Sequence, residues 1–140
     1  MRLTTKTRYA VRAMCELAIQ HQGKPVSLRT IAQHQAIKPK YLEQIFIKLH
    51  KAGLIRSQKG PSGGYFVNRD PRFIKLKHIM KAVGETNAPV FCVDDRISKK
   101  CGRMKRCAAR PYWRKLKKII DDFLNSCSIH DLCGCKNPKK

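Results

Sequence analysis

SLRTIAQHQAIKPKYLEQIFIKLHKAGLIRSQKGPSGGYFV, residues 27–67, contains two short helical patterns, a turn between them and a glycine-rich hairpin. Ser27 is an N-cap residue type ahead of Leu28, Ile31 and Ala32, which fall on one helical face. A break at Ala36-Ile37-Lys38 precedes Pro39, and proline suits the first turn of a helix. From there Leu42, Ile45, Phe46 and Leu49 recur at i, i+3, i+4 and i+7, and Gly53 supplies the stop. Two helices joined this tightly predict a helix-turn-helix. Leu54-Ile55-Arg56-Ser57 and Tyr65-Phe66-Val67 are strand-like, and Gly60-Pro61-Ser62-Gly63-Gly64 lies between them as a turn. The expected fold is therefore mainly α with a small β wing, a winged helix-turn-helix.

Upstream, Ala10, Val11, Met14, Leu17 and Ala18 mark a helix over residues 7–21, ended by Gly23 and Pro25. Cys15 lies beside that face and reads as a small packing residue. Downstream, Pro71 closes the wing, and Leu76, Ile79, Met80 and Val83 mark a helix ending at Gly84. Residues 85–108 have no periodicity. Pro111 opens a last helix on which Trp113, Leu116, Ile120, Phe123 and Cys127 are spaced as a heptad seam, the pattern of a helix that pairs with another helix. The chain thus divides into a winged domain (1–84), a cysteine-rich loop (85–108), a dimerisation helix (109–127) and a basic, cysteine-containing tail (128–140).

Thirty-one basic residues against nine acidic ones give 140 residues a formal charge of +22. Solubility needs far less, and a polyanion, nucleic acid foremost, is the matching partner. No segment approaches the roughly 18 apolar residues of a membrane span, so no membrane partner is expected. The N-terminal residues lack the apolar core of a secretory signal, and seven cysteines make an odd number for a disulfide framework. The expected place is the cytoplasm, with thiols free or metal-bound. No paired carboxylates, phosphate-binding loop or nucleophile–base constellation suggests an enzyme.

On helix 39–52 the residues off the apolar stripe include Lys38, Lys40, Tyr41, Glu43, Gln44 and Lys48. A recognition helix presents its N-terminal residues to base edges in the major groove of double-stranded DNA. Glu43 can accept from a cytosine amino group, and Gln44 can pair with adenine. Lys38 and Lys40 suit phosphates. Lys59 and Gly60 stand at the wing tip with Arg56 nearby, where a cation can enter a minor groove. Arg2 and Ser27 complete the candidate DNA-binding set.

Cys92, Cys101 and Cys107 stand in the loop with gaps of eight and five residues, amid lysines and arginines that run from Arg96 to Lys118. Three thiolates in a reducing compartment make a metal or iron–sulfur half-site, 2Fe-2S or 4Fe-4S. The surrounding cations offset the negative charge of such a centre. Zinc and a thiol switch are the alternatives. Cys127, His130, Cys133 and Cys135 form a second candidate metal or redox group near the C-terminus.

Arg2-Leu3-Thr4, Tyr9-Ala10-Val11, Tyr41-Leu42-Glu43-Gln44, Lys51-Ala52-Gly53-Leu54 and Gly60-Pro61 with Gly63-Gly64-Tyr65 resemble the IscR/NsrR/RirA-type winged-helix regulators of bacteria. The resemblance runs to about residue 132. It implies a homodimer with crossed C-terminal helices on roughly palindromic promoter DNA. It also implies an iron–sulfur cluster on Cys92, Cys101 and Cys107, although CymR-like members carry none. The fourth ligand departs from the family's patterns. IscR-like members place a histidine where this chain has Arg110, and NsrR-like members an aspartate where it has Arg8. Water, Asp94 or a tail cysteine is left for that position. The leading expectation is a DNA-binding sensor of iron, cluster or redox status.

Overall fold

The apolar stripe of residues 39–51 is buried as its spacing requires. The computed structural model describes residues 2–20 and 23–135. Helix α3 (Pro39–Lys51) puts Leu42, Ile45, Phe46 and Leu49 in the core. Each such side chain contributes about 1.5–3 kcal/mol when fully removed from water. Before it, α2 (Leu28–Gln35) begins at Ser27, whose hydroxyl accepts from the Thr30 amide at 3.1 Å. The turn between α2 and α3 runs through Ala36 in the left-handed region, φ 53°. That conformation lets the Ile37 amide reach the Ala32 carbonyl at 2.9 Å, which closes α2.

Helix α1 (Thr5–Gln20) buries Ala10, Ala13, Met14, Cys15 and Leu17 and packs against both α2 and α3. Strands β1 (Ile55–Gln58) and β2 (Gly64–Val67) pair antiparallel, with Ile55 opposite Val67 and Gln58 opposite Gly64. Gly63 is required by space: a Cβ there would lie 2.1 Å from the Gln58 carbonyl oxygen. Helix α4 (Leu76–Ala82) follows a single 3-10 turn at Pro71–Phe73 and packs on α1 and α3. Helix α5 (Arg110–Ser126) buries only Leu124 and packs on α4.

The C-terminal segment departs from expectation. Within the stretch 128–140, which the sequence presents as a basic, cysteine-containing tail, Ile129–Cys135 form helix α6, packed on α1 and the 71–73 turn. Ser128 and Asp131 cap it reciprocally, the Ser128 amide donating to Asp131 Oδ2 at 2.8 Å and the Asp131 amide to Ser128 Oγ at 3.1 Å. Ile129 is fully buried in the same core as α1, and its amide donates to the Ile74 carbonyl at 2.9 Å. The core of the N-terminal winged unit is thus completed from the far end of the chain. No described helix is long and apolar enough to cross a membrane.

Candidate nucleic-acid interface and cysteine loop

With its apolar stripe inward, α3 leaves Lys40, Tyr41, Glu43, Gln44 and Lys48 exposed, and Lys38 is exposed at its N-cap. Tyr41 meets Tyr9 of α1 edge-on, ring centres 5.8 Å apart. Arg12 lies over the Tyr9 ring at 5.1 Å and donates through Nε to Gln35 Oε1 at 3.1 Å and through Nη2 to the Gln35 carbonyl. The aromatic at the head of α3 is therefore oriented by α1, a role for Tyr9 and Arg12 that no periodicity announces.

Burial, and then the Glu43 charge, pushes the Tyr65 phenol above its ordinary pKa. Tyr65 in turn packs edge-on against Phe46 at 4.8 Å. Helix α3 and β2 are thus fixed to each other. Arg56 lies over the Phe66 ring at 4.6 Å, so its stem and charge cover the sheet. Lys59 and Gly60 are exposed at the tip, Gly60 at φ +112°. Ser27, besides capping α2, lines a hollow with Lys24, Thr30, Pro61 and Gly63, which brings the α2 N-terminus beside the wing. Arg2 is exposed just ahead of α1.

The loop 85–108 is irregular but anchored. Asn87 donates to Asp121 of α5, and Asp95 pairs with Lys117 at 3.3 Å. Cys92 is buried in a 3-10 turn at Phe91–Val93 that packs on α5. Cys101 is half-buried after a second turn at Ser98–Lys100. Cys107, also half-buried, lies three residues before α5, its carbonyl accepting from the Arg110 amide at 3.3 Å. Met104, Cys107, Arg110, Pro111 and Arg114 line one hollow of about 390 Å³. The Arg110 Nε is buried and has no hydrogen-bond partner among the described residues.

The donor chemistry suits a metal centre: all three loop thiols are free. The geometry is open rather than closed, for among the described residues no three Cys, His, Asp or Glu side chains converge on a common point. Asp94 is not a spare ligand. It is buried, and its carboxylate takes both Arg96 Nε at 3.1 Å and Arg96 Nη2 at 3.0 Å, besides the Arg96 amide. Those hydrogen bonds hold its carboxyl far below the usual range. Among the C-terminal cysteines, Cys127 caps α5, and Cys133 packs on the core with its Sγ 3.9 Å from the Cys15 carbonyl oxygen. The side chain of Cys135 lies outside the described residues.

Helix α5 leaves apolar side chains exposed, in a register that differs from the heptad spacing. Ile120 is half-buried against its own chain, whereas Tyr112 (70%), Ile119 (61%) and Phe123 (62%) are exposed, with Trp113 and Leu116 less so. The uncovered apolar stripe is Tyr112, Leu116, Ile119 and Phe123. The i,i+4 ion pair of Lys117 with Asp121 lies off that stripe, and Lys77 of α4 ties α5 inward by reaching the same Asp121 at 3.3 Å.

Residues 3–134 match the model of a family described as Rrf2, iron-dependent transcriptional regulator. The HTH-type transcriptional regulator IscR of Vibrio cholerae is 41% identical over 132 residues, 94% of this chain and 75% of the relative. That of Pectobacterium atrosepticum is 38% identical over 136 residues, 97% and 81% of the two chains. Among solved structures, the global cysteine regulator CymR of B. subtilis superposes with a TM-score of 0.82 at 30% identity, covering 98% of this chain and 99% of its own. T. potens IscR does so with 0.80 at 32% identity, covering 100% and 91%.

Proposed function

The chain belongs to the Rrf2 family of transcriptional regulators, and from that premise we propose that its cysteine loop holds an iron–sulfur cluster whose state sets how a dimer binds promoter DNA. Regulation of transcription through DNA binding is the family's activity and this chain's, and the known relatives are regulators, not enzymes. The observation that carries the sensing reading is a single juxtaposition. A loop with three free thiols is rooted on α5, which packs on α4, and α4 packs in turn on α1 and α3 of the winged helix.

Glu43 and Gln44 read base edges from the N-terminal half of α3. Lys38, Lys40, Arg2 and Lys59 bind phosphates, and the α2 N-terminus at Ser27 lies beside the wing for a further phosphate contact. A second copy of the chain covers Tyr112, Leu116, Ile119 and Phe123, placing two reading helices on one cytoplasmic promoter. Cys92, Cys101 and Cys107 are the protein ligands, and a bound cluster supplies an oxidisable, iron-dependent centre. Cys92 packs on α5 through its own turn and Cys107 lies three residues before α5, so a cluster held by these thiols would bear on the start of that helix. The cations between Arg96 and Arg114 balance the thiolate charge.

Protein purified without oxygen and assayed for iron, sulfide and visible absorption tests the reading. A brown protein with stoichiometric iron and sulfide, whose DNA affinity changes when the cluster is removed, is expected. Zinc, or no metal, in protein that binds DNA normally would overturn it.

A further inference from the structure

Glu85 stands where the cysteine loop leaves α4, and its carboxylate reaches across the fold to the start of α1. Oε2 accepts from the Thr4 amide at 2.9 Å, from Thr4 Oγ1 at 2.7 Å and from Thr7 Oγ1 at 2.7 Å. Thr4 Oγ1 itself accepts from the Thr7 amide at 3.2 Å, so Thr4 caps α1 and Glu85 holds the cap. The first turn of α1 contains no acid and carries Lys6 and Arg8. Glu85 supplies from 81 residues away the negative charge that a helix N-terminus favours.

The other side of Glu85 leads to the cysteines. Its amide donates to the Met80 carbonyl at 2.8 Å, fixing its backbone to the end of α4. The neighbouring Gly84 carbonyl takes Arg96 Nη1 at 3.5 Å. Arg96 is forked onto Asp94, two residues after the buried Cys92.

We infer that Glu85 is a positioning residue that couples the cysteine loop to the DNA-binding end of α1. When the Asp94–Arg96–Gly84 root shifts, the Glu85 carboxylate shifts with it. The Thr4 cap is then held or released, and Arg2, two residues ahead of it, enters or leaves register with a phosphate. The inference rests on the reading of the loop as the sensor and of Arg2 as a phosphate contact. A cap supplied by the helix's own side chains would be indifferent to the loop, whereas a cap held by a loop-root carboxylate has two arrangements that both sites bias.

A double-mutant cycle on metal-free protein tests this coupling without requiring a cluster. The probe is a duplex selected by the wild-type protein from a randomised library. The readouts are its Kd and amide exchange at Thr7, Arg8 and Tyr9. Arg96→Ala is expected to weaken binding about tenfold, within the usual range of coupling between sites, and to speed that exchange. In a Glu85→Ala or Glu85→Gln background the same substitution should change Kd less than about twofold. Thr4→Ser should preserve the coupling and Thr4→Val should abolish it. A folded Glu85→Gln protein in which Arg96→Ala still acts in full overturns the inference, because a purely structural Glu85 gives additive losses. The sensing reading fails separately, if loaded and cluster-free wild-type protein bind the duplex alike.

Discussion

Val26 and Tyr65 exchange both backbone hydrogen bonds, Val26 N to Tyr65 O at 2.9 Å and Tyr65 N to Val26 O at 2.8 Å. The wing is thereby fastened to the residue preceding the α2 N-cap. Tyr65 also packs on Phe46 of α3. One residue of β2 therefore sets the wing against both helices of the helix-turn-helix.

Gly64 makes that approach possible. A Cβ at Gly64 would lie 2.4 Å from the Val26 carbonyl oxygen. Gly64→Ala should thus separate β2 from Val26, with a loss of roughly 1–3 kcal/mol in urea unfolding. DNA affinity should fall with it. Gly60→Ala is the informative partner, since nothing lies within 4 Å of a Cβ there and only its φ of +112° is at stake. The smaller stability loss of the two should be at Gly60, and the reverse order would show that the Val26 contact is dispensable.

The two DNA elements should separate by what they read. Lys59→Ala removes a tip cation and should weaken binding evenly across sequences, lowering the salt slope by about 1. Glu43→Ala should leave the salt slope alone and relax the base preference at one position. Tyr9→Ala removes the ring against which Tyr41 rests and should loosen selectivity without touching DNA itself. Footprints and salt titrations of the three variants settle the assignment, and unchanged selectivity in Glu43→Ala would remove α3 from base readout.

The helix-turn-helix and the wing were legible because they depend on local signals: apolar spacing, Ser27, Pro39, Gly53 and the glycine hairpin. Features built from distant residues were not. Glu85 looks like a polar loop residue until Thr4 is set beside it. The heptad spacing on α5 pointed to Ile120. But α4 and the Phe91–Val93 turn pack on one side of the helix, leaving Ile119 and Tyr112 uncovered instead. The segment after Ser128 read as a tail because one buried Ile129 and a Ser128–Asp131 cap are weak signals in a polar stretch.

Phe123→Asp and Ile119→Asp test the α5 stripe. Both side chains are exposed in the single chain, so a charge there costs the fold little, but it would be buried without a partner between two copies. Sedimentation should show folded monomers with DNA affinity reduced at least tenfold, since one reading helix then acts alone. Leu124→Asp, on the buried side, should unfold the protein instead. A folded dimer in both exposed-site variants would place the interface elsewhere.

Stability should fall on acidification, and the sign follows from Glu16. Burial alone would push its carboxyl up. Hydrogen bonds from His34 at 2.7 Å, from Gln20 and from Gln35 at 3.0 Å outweigh that and hold it below its ordinary value. A pKa lower in the folded state means that the unfolded chain binds more protons. The contribution is present above the unfolded carboxylate pKa of about 4.3 and is lost as pH falls through the folded value. Glu85 and Asp94 act in the same direction. Urea midpoints should therefore drop between about pH 5 and pH 3. Glu16→Gln should flatten that slope, and an unaltered slope would show that the network around Glu16 carries no proton linkage.

The cysteines should divide by position. Cys101→Ala and Cys107→Ala remove half-buried thiols from a loop whose turns need no sulfur, so the variants should fold with the Tm of cluster-free wild-type protein and lose the brown chromophore. Cys92→Ala should lose it as well, at a further cost of about 1 kcal/mol for emptying a buried position. Cys15→Ala should keep the chromophore, since its side chain is buried in the core of α1. Cys133→Ala should keep it too, because Cys133 packs between α6 and α1, its sulfur beside the Cys15 carbonyl. Arg96→Ala frees the Asp94 carboxylate, which is engaged by the guanidinium in the folded chain. If Asp94 can serve as a fourth ligand only when released, that variant should alter the cluster's electron paramagnetic resonance signal while iron content stays the same. An unchanged signal would leave solvent in the fourth place. Loss of the chromophore in Cys133→Ala with the fold intact would instead bring α6 into the site.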